Sequence, residues 1–143
     1  MFDMDDNTIT LNKLYDIAEE NNITVYDFRL HPIKSMSVPG AIGIDTKIIK
    51  SKVEEKTCLA HELAHCMQSA FYTGCSPLEL RERHEHKADK WVIQKLIPFD
   101  RLSDALNKGI TTVWELAEYF EITEDYIKKA LRLYEEKLMF LQH

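Results

Sequence analysis

Cysteine is scarce in this chain, and what little there is excludes a disulfide framework. There are three cysteines in 143 residues, an odd number. Cys58, Cys66 and Cys75 lie in the middle of the chain with no C-x-x-C spacing, so they read as reduced thiols. Long apolar runs are also missing. None approaches the roughly 20 residues that a membrane span requires. The opening Met1-Phe2-Asp3-Met4-Asp5-Asp6 is acidic and has no apolar core, so no signal peptide is expected. Basic charge is in deficit as well, with net charge −6. Most affinity for nucleic acid comes from basic residues, so direct nucleic-acid binding is not expected. Repeats and low-complexity segments are absent. These absences leave a cytoplasmic protein without membrane contact. The composition, 45% hydrophobic and 29% charged, is that of an ordinary globular chain. Its length suits one domain, 1–143, with enough chain to bury a core.

What is present is concentrated in five residues, His61-Glu62-Leu63-Ala64-His65. They read H-E-x-x-H. On a helix, positions i and i+4 are one turn plus about 40° apart, so both imidazoles leave the same face. Two imidazole nitrogens so placed can hold one zinc ion, each at about 2.0–2.1 Å. Glu62 stands beside the first ligand, placed to take a proton from water acidified by the metal. The surrounding Thr57, Cys58, Leu59, Ala60, Leu63, Ala64, Met67 and Ala70 make the helix apolar nearly all round, and such a helix is buried. Ionisable groups on a buried helix need a partner, and a metal is the simplest one.

A catalytic zinc takes three protein ligands and keeps one position open. The third is sought in Arg83-His84-Glu85-His86-Lys87-Ala88-Asp89, where His84, Glu85, His86 and Asp89 are all candidates. Glu85 and Asp89 are four apart and share a face. In that arrangement Glu85 ligates and Asp89 accepts a hydrogen bond from a ligand histidine, fixing its tautomer. His84 and His86 then point elsewhere, into solvent or toward substrate. Tyr72, His84 and His86 are the candidates for contacting substrate or stabilising an oxyanion.

These stretches resemble the gluzincin metallopeptidases and, more narrowly, the ImmA/IrrE family of bacterial and mobile-element proteins. The likeness rests on Ile44-Asp45, on Leu59-Ala60-His61-Glu62-Leu63-Ala64-His65, and on Glu85-x-x-Ala88-Asp89-x-Trp91 running into Leu96-Ile97-Pro98. It covers roughly residues 20–125. It implies a stand-alone zinc peptidase that cleaves a helix-turn-helix repressor of a prophage or integrative element. It also implies that His61, His65 and Glu85 are the ligands and Glu62 the base. Two departures stand out: Cys66 directly follows His65, and the short inter-helix segment carries Cys75. A thiolate there would compete for zinc.

The expected fold is α+β and mostly helical, with a small sheet packed on the metal helix and a helical C-terminal segment from about residue 99. The first helix is expected over 9–21. Strands are expected at 23–30 and 41–44, with a third near 47–49. The likeness to gluzincins implies that the 41–45 strand is the edge for an extended substrate, with Gly40 and Gly43 permitting close approach or serving a turn and a bulge. The metal helix is expected over 53–71. A second metal helix should open near Pro77 and end before Pro98. Residues 112–131 have the look of a helix-turn-helix, with Thr112 and Thr123 as N-caps. Lys128, Lys129 and Arg132 are its basic residues, but acidic neighbours surround them. A helical cap is therefore the expected role, with a DNA-binding sensor and a non-proteolytic zinc regulator as the alternatives. The tail Leu138-Met139-Phe140-Leu141 could finish the core or meet a second chain.

Overall fold

The computed structural model describes residues 9–73 and 75–141. Residues 1–6, where no signal peptide is expected, lie outside the described residues.

The chain is mostly helical α+β. Its elements run α1 (Leu11–Glu20), β1 (Thr24–Asp27), β2 (Ser35–Val38), β3 (Ala41–Ile44), α2 (Lys52–Met67), α3 (Leu78–Leu96), α4 (Phe99–Asn107), α5 (Val113–Phe120), α6 (Glu124–Leu133) and α7 (Glu135–Leu141). No helix among the described residues is long and apolar enough to cross a membrane.

Helix α1 begins where Thr10 accepts a hydrogen bond from Lys13 N–H. It buries Leu14, Ile17 and Ala18, which lie at helical spacing. It stops at Asn21-Asn22, as expected. Asn22 takes a left-handed φ of 58°. That turn lets Ile23 N–H reach back to the Ala18 carbonyl.

The sheet departs from expectation in one informative way. Its order is β1-β3-β2, with β1 parallel and β2 antiparallel to β3. The segment at 47–49 is a turn, and the third strand is instead Ser35–Val38. Asp45 explains the turn. Its carboxylate accepts from Lys47 N–H, and its carbonyl accepts from the N–H groups of Ile48 and Ile49. These donors are lost to a ladder. The same carboxylate accepts from Leu30 N–H, His31 N–H and the Arg29 guanidinium, tying the β1–β2 connection to the end of β3. Burial would raise the Asp45 pKa. The backbone donors and Arg29 outweigh it and hold the carboxyl below its usual range.

Consequently β3 is the central strand and has no free edge. The expectation that 41–45 binds an extended substrate is corrected on that ground. Gly40 serves the β2–β3 turn with φ +80°, and Gly43 sits under the side chains of Leu30 and Phe28.

Ile42 and Ile44 of β3 are fully buried, as are Leu59, Ala60, Leu63 and Ala64 of α2 and Ala88 and Val92 of α3. Helix α2 is thus sandwiched between the sheet, α1 and α3. The alanines let helix axes approach closely. Leu102, Leu116, Phe120, Ile127 and Ala130 extend the same core under the C-terminal helices. Lys56 crosses this region and donates to the Phe120 carbonyl at 3.0 Å, a cation at the C-terminal end of α5. Leu138 packs on the core, whereas Met139 and Phe140 are exposed.

Candidate metal centre

Helix α2 starts at Ser51, whose hydroxyl accepts from Glu54 N–H, with Glu54 and Glu55 in its first turn. It ends at Met67, four residues earlier than expected. The reason is a Schellman turn. Ser69 adopts φ 49°, Ser69 N–H reaches the Cys66 carbonyl, and Ala70 N–H reaches the His65 carbonyl at 2.9 Å. This early stop has a use. It turns the Ala70 carbonyl back onto His65, 2.6 Å from Nδ1.

His61 and His65 project from one face of α2, as the spacing requires. Their Nε2 atoms are 3.3 Å apart. Helix α3 brings Glu85 against both: its Oε2 is 2.9 Å from His61 Nε2 and its Oε1 is 3.0 Å from His65 Nε2. The three donor groups lie within 4.8 Å of one another. The set fits a tetrahedral zinc. Two donors each about 2.05 Å from such an ion lie about 3.3–3.4 Å apart, the spacing of the two nitrogens.

The outer nitrogens are occupied too. Tyr126, from α6, donates its hydroxyl proton to Asp89 Oδ1 at 2.8 Å. A hydroxyl has one proton, so its 2.6 Å contact with His61 Nδ1 must be a donation from the imidazole. His65 Nδ1 likewise donates to the Ala70 carbonyl. Both rings therefore carry hydrogen on Nδ1, leaving Nε2 for a metal. Asp89 Oδ1 is 3.5 Å from His61 Nδ1, with the Tyr126 hydroxyl bridging them. Lys129 holds the other Asp89 oxygen at 3.1 Å.

Charge follows this geometry. Burial pulls the His61 pKa down, but Asp89 and Glu85 outweigh it and hold it at about 9. His65 is raised against its burial by Glu85 and the Ala70 carbonyl. Glu85 is held far below the usual carboxylate range, because hydrogen bonds from both histidines and Tyr72 overcome its desolvation. Without a metal the cluster is an imidazolium–carboxylate network. A divalent cation bound to these donors would have to displace those protons.

Glu62 is buried, and its Oε2 accepts from the Ser35 hydroxyl at 2.8 Å. Tyr72 donates to Glu85 Oε1 at 2.7 Å. Burial and Glu85 push its hydroxyl up to about 12, so it is a neutral donor. Together Ser35, Glu62, His61, His65, Glu85 and Tyr72 line a cleft of about 390 Å³. Its other wall is the free side of β2 with Ile33 and Met36, which are 50% and 42% exposed.

The remaining sequence candidates sit elsewhere. His84 stacks on the outer side of Tyr72, ring planes 3° apart and centroids 6.5 Å apart. His86 is exposed and lines a different groove, between α3 and α6. The cysteines do not join the cluster. Cys66 donates toward the Val38 carbonyl, Cys75 is exposed, and burial pushes the Cys66 thiol up to about 11. Among the described residues, the donor group that could share one ion is His61, His65 and Glu85, with no sulfur in it. Sequence reasoning missed Ser35, Tyr126 and the Ala70 carbonyl. A buried tyrosine needs a hydroxyl partner, but its burial shows only once α6 is packed.

No family model, curated protein or solved structure matches this chain.

Proposed function

We propose that this protein is a zinc-dependent endopeptidase. The observation that carries the proposal is the pairing of His61 and His65, Nε2 atoms 3.3 Å apart and both Nδ1 atoms already donating. Glu62 lies in the same cleft as a base. A structural zinc site has no need of that base, and catalytic sites keep a position open.

When bound, zinc polarises the scissile carbonyl and makes water acidic near neutrality. Glu62 takes the proton of the attacking water and passes it to the leaving amine. Ser35 holds one Glu62 oxygen, which fixes the carboxylate in the cleft. The one hydroxyl proton of Tyr72 goes to Glu85 in this structure, so Tyr72 would serve the developing oxyanion only after turning from that carboxylate. Tyr126 and Asp89 on one side, and Ala70 on the other, keep the two imidazoles from rotating.

The wall of the cleft suggests how substrate is held. β2 is bonded to β3 on one side only, so its other side can add an extended peptide strand. Exposed Ile33 and Met36 would take apolar side chains of that strand. The resemblance to the ImmA/IrrE family makes a helix-turn-helix repressor the expected substrate. Helix α6 is spent differently from a DNA-reading helix: Tyr126, Ile127 and Ala130 are buried, and Asp89 binds Lys129.

Glu62→Gln tests the reading. The variant should retain zinc and lose about 100-fold or more of its cleavage of a peptide library read by mass spectrometry. Undiminished cleavage would overturn the assignment.

A further inference from the structure

Beyond Asp89 from the cleft, α3 and α6 enclose a second groove of about 450 Å³. Along α3 its residues are His86, Asp89, Lys90 and Ile93. Along α6 they are Lys129, Arg132 and Leu133. Both sets recur every three or four positions, so each helix turns one face into the groove. Ile93 and Leu133 are the apolar residues of that lining. Ile93 is buried and Leu133 half-buried.

The charge here runs against that of the molecule. The chain is acidic overall, at net −6. Yet Lys90, Lys129 and Arg132 converge on one concave surface, with Asp89 the only acid lining it. Lys129 is paired with Asp89 at 3.1 Å. Lys90 and Arg132 are exposed, and their side chains have no hydrogen bond or ion pair among the described residues. All three cations line a groove of the size that holds small ligands.

We propose that the α3–α6 groove binds a small organic polyphosphate. Arg132 suits a phosphate because its fork donates two parallel hydrogen bonds. Lys90 and Lys129 add point charges on the opposite and adjacent walls. A single carboxylate would leave most of this charge uncompensated, and it would lose to Asp89 in competition for Lys129. A ligand with several phosphate charges does not. Leu133, half-buried over a floor formed by Ile93, receives its organic portion. None of the three cations is a candidate zinc ligand, although Lys129 and Asp89 line the groove and also support His61.

Titration of ATP and of pyrophosphate into the full chain by calorimetry tests it. Duplex DNA and an acidic peptide serve as competitors. One ATP per chain is expected, with affinity reduced at least about tenfold by Lys90→Glu or Arg132→Glu. Both residues are exposed and unpaired, so these variants should keep the wild-type circular dichroism and Tm. Glu85→Ala, which disturbs the metal cluster, should bind ATP as wild type does. Absence of binding to either phosphate would overturn the proposal. So would binding that survives both charge reversals, or that is lost in Glu85→Ala, which would put the phosphate on the metal. Tighter binding of DNA or acidic peptide than of ATP would also overturn it, making the groove a macromolecular surface.

Discussion

Tyr126 reaches His61 across 65 residues of chain and puts its hydroxyl between an imidazole and a carboxylate. Removing that one oxygen leaves the ring packing intact. Tyr126→Phe should therefore fold normally but weaken zinc affinity by about 10–100-fold, the usual consequence of losing a ligand's hydrogen-bond partner. Competition with a chromogenic chelator measures it, and unchanged affinity would show that Asp89 holds His61 unaided. At this scale the sequence was legible where spacing encodes geometry. His61, Glu62 and His65 fall within five consecutive positions, and one helix suffices to bring them together. Glu85 was one of four candidates on its helix, favoured by its spacing to Asp89 and by family likeness. Ser35, Tyr126 and the Ala70 carbonyl were illegible, because their roles exist only once distant elements pack. A backbone carbonyl leaves no side-chain signature at all.

Among the elements, α2 depends on where it stops. Ser69 is in the left-handed region, a conformation that costs a β-branched residue dearly. Ser69→Val should lower stability by about 1–2 kcal/mol and also weaken zinc retention, because the Ala70 carbonyl would lose its place beside His65. Ser69→Gly should preserve both, since glycine adopts that φ freely. Urea unfolding with parallel metal analysis checks the pair; equal behaviour of the two variants would contradict this reading of the helix end. The overlong helix expected over 53–71 failed at this point: Gln68, Ser69 and Ala70 carry no glycine to announce the turn. The sheet shows the same limit. Ser35-Met36-Ser37-Val38 is half polar and reads weakly as a strand, whereas Lys47-Ile48-Ile49 has the right side chains but loses its backbone donors to Asp45. Capped helix starts were readable. Thr112 accepts from Glu115 N–H as its capping-box spacing predicts, though Thr123 makes no such bond.

For the whole molecule, the metal cluster links folding to pH. In the metal-free chain His61 and His65 have raised pKa values because Glu85 and its neighbours stabilise the charged rings. A raised folded-state pKa adds stability below the unfolded value, about 6.5 for histidine, and that stability is lost as pH rises through the folded value. For His61 the folded value is about 9. The metal-free chain should therefore lose stability between pH 6.5 and about 9, while zinc affinity climbs over the same window as protons stop competing. Thermal unfolding with and without zinc across that range reads both trends. A metal-free chain that gains stability through this window would contradict the protonated cluster. The mostly helical α+β class was visible from periodicity and the few turn signals, because burial of α2 dictates layers around it. The α3–α6 groove was not, since its cations are separated by about 40 positions and meet only through packing.

The most direct measurement is the metal content of purified wild type beside Glu85→Ala, by elemental mass spectrometry. Three donor groups within 4.8 Å predict one zinc per chain in the wild type and a sharp fall in the variant. A wild-type chain that takes up no metal when zinc is supplied, or a Glu85→Ala chain that keeps its full zinc, would contradict the site and the peptidase proposal that rests on it.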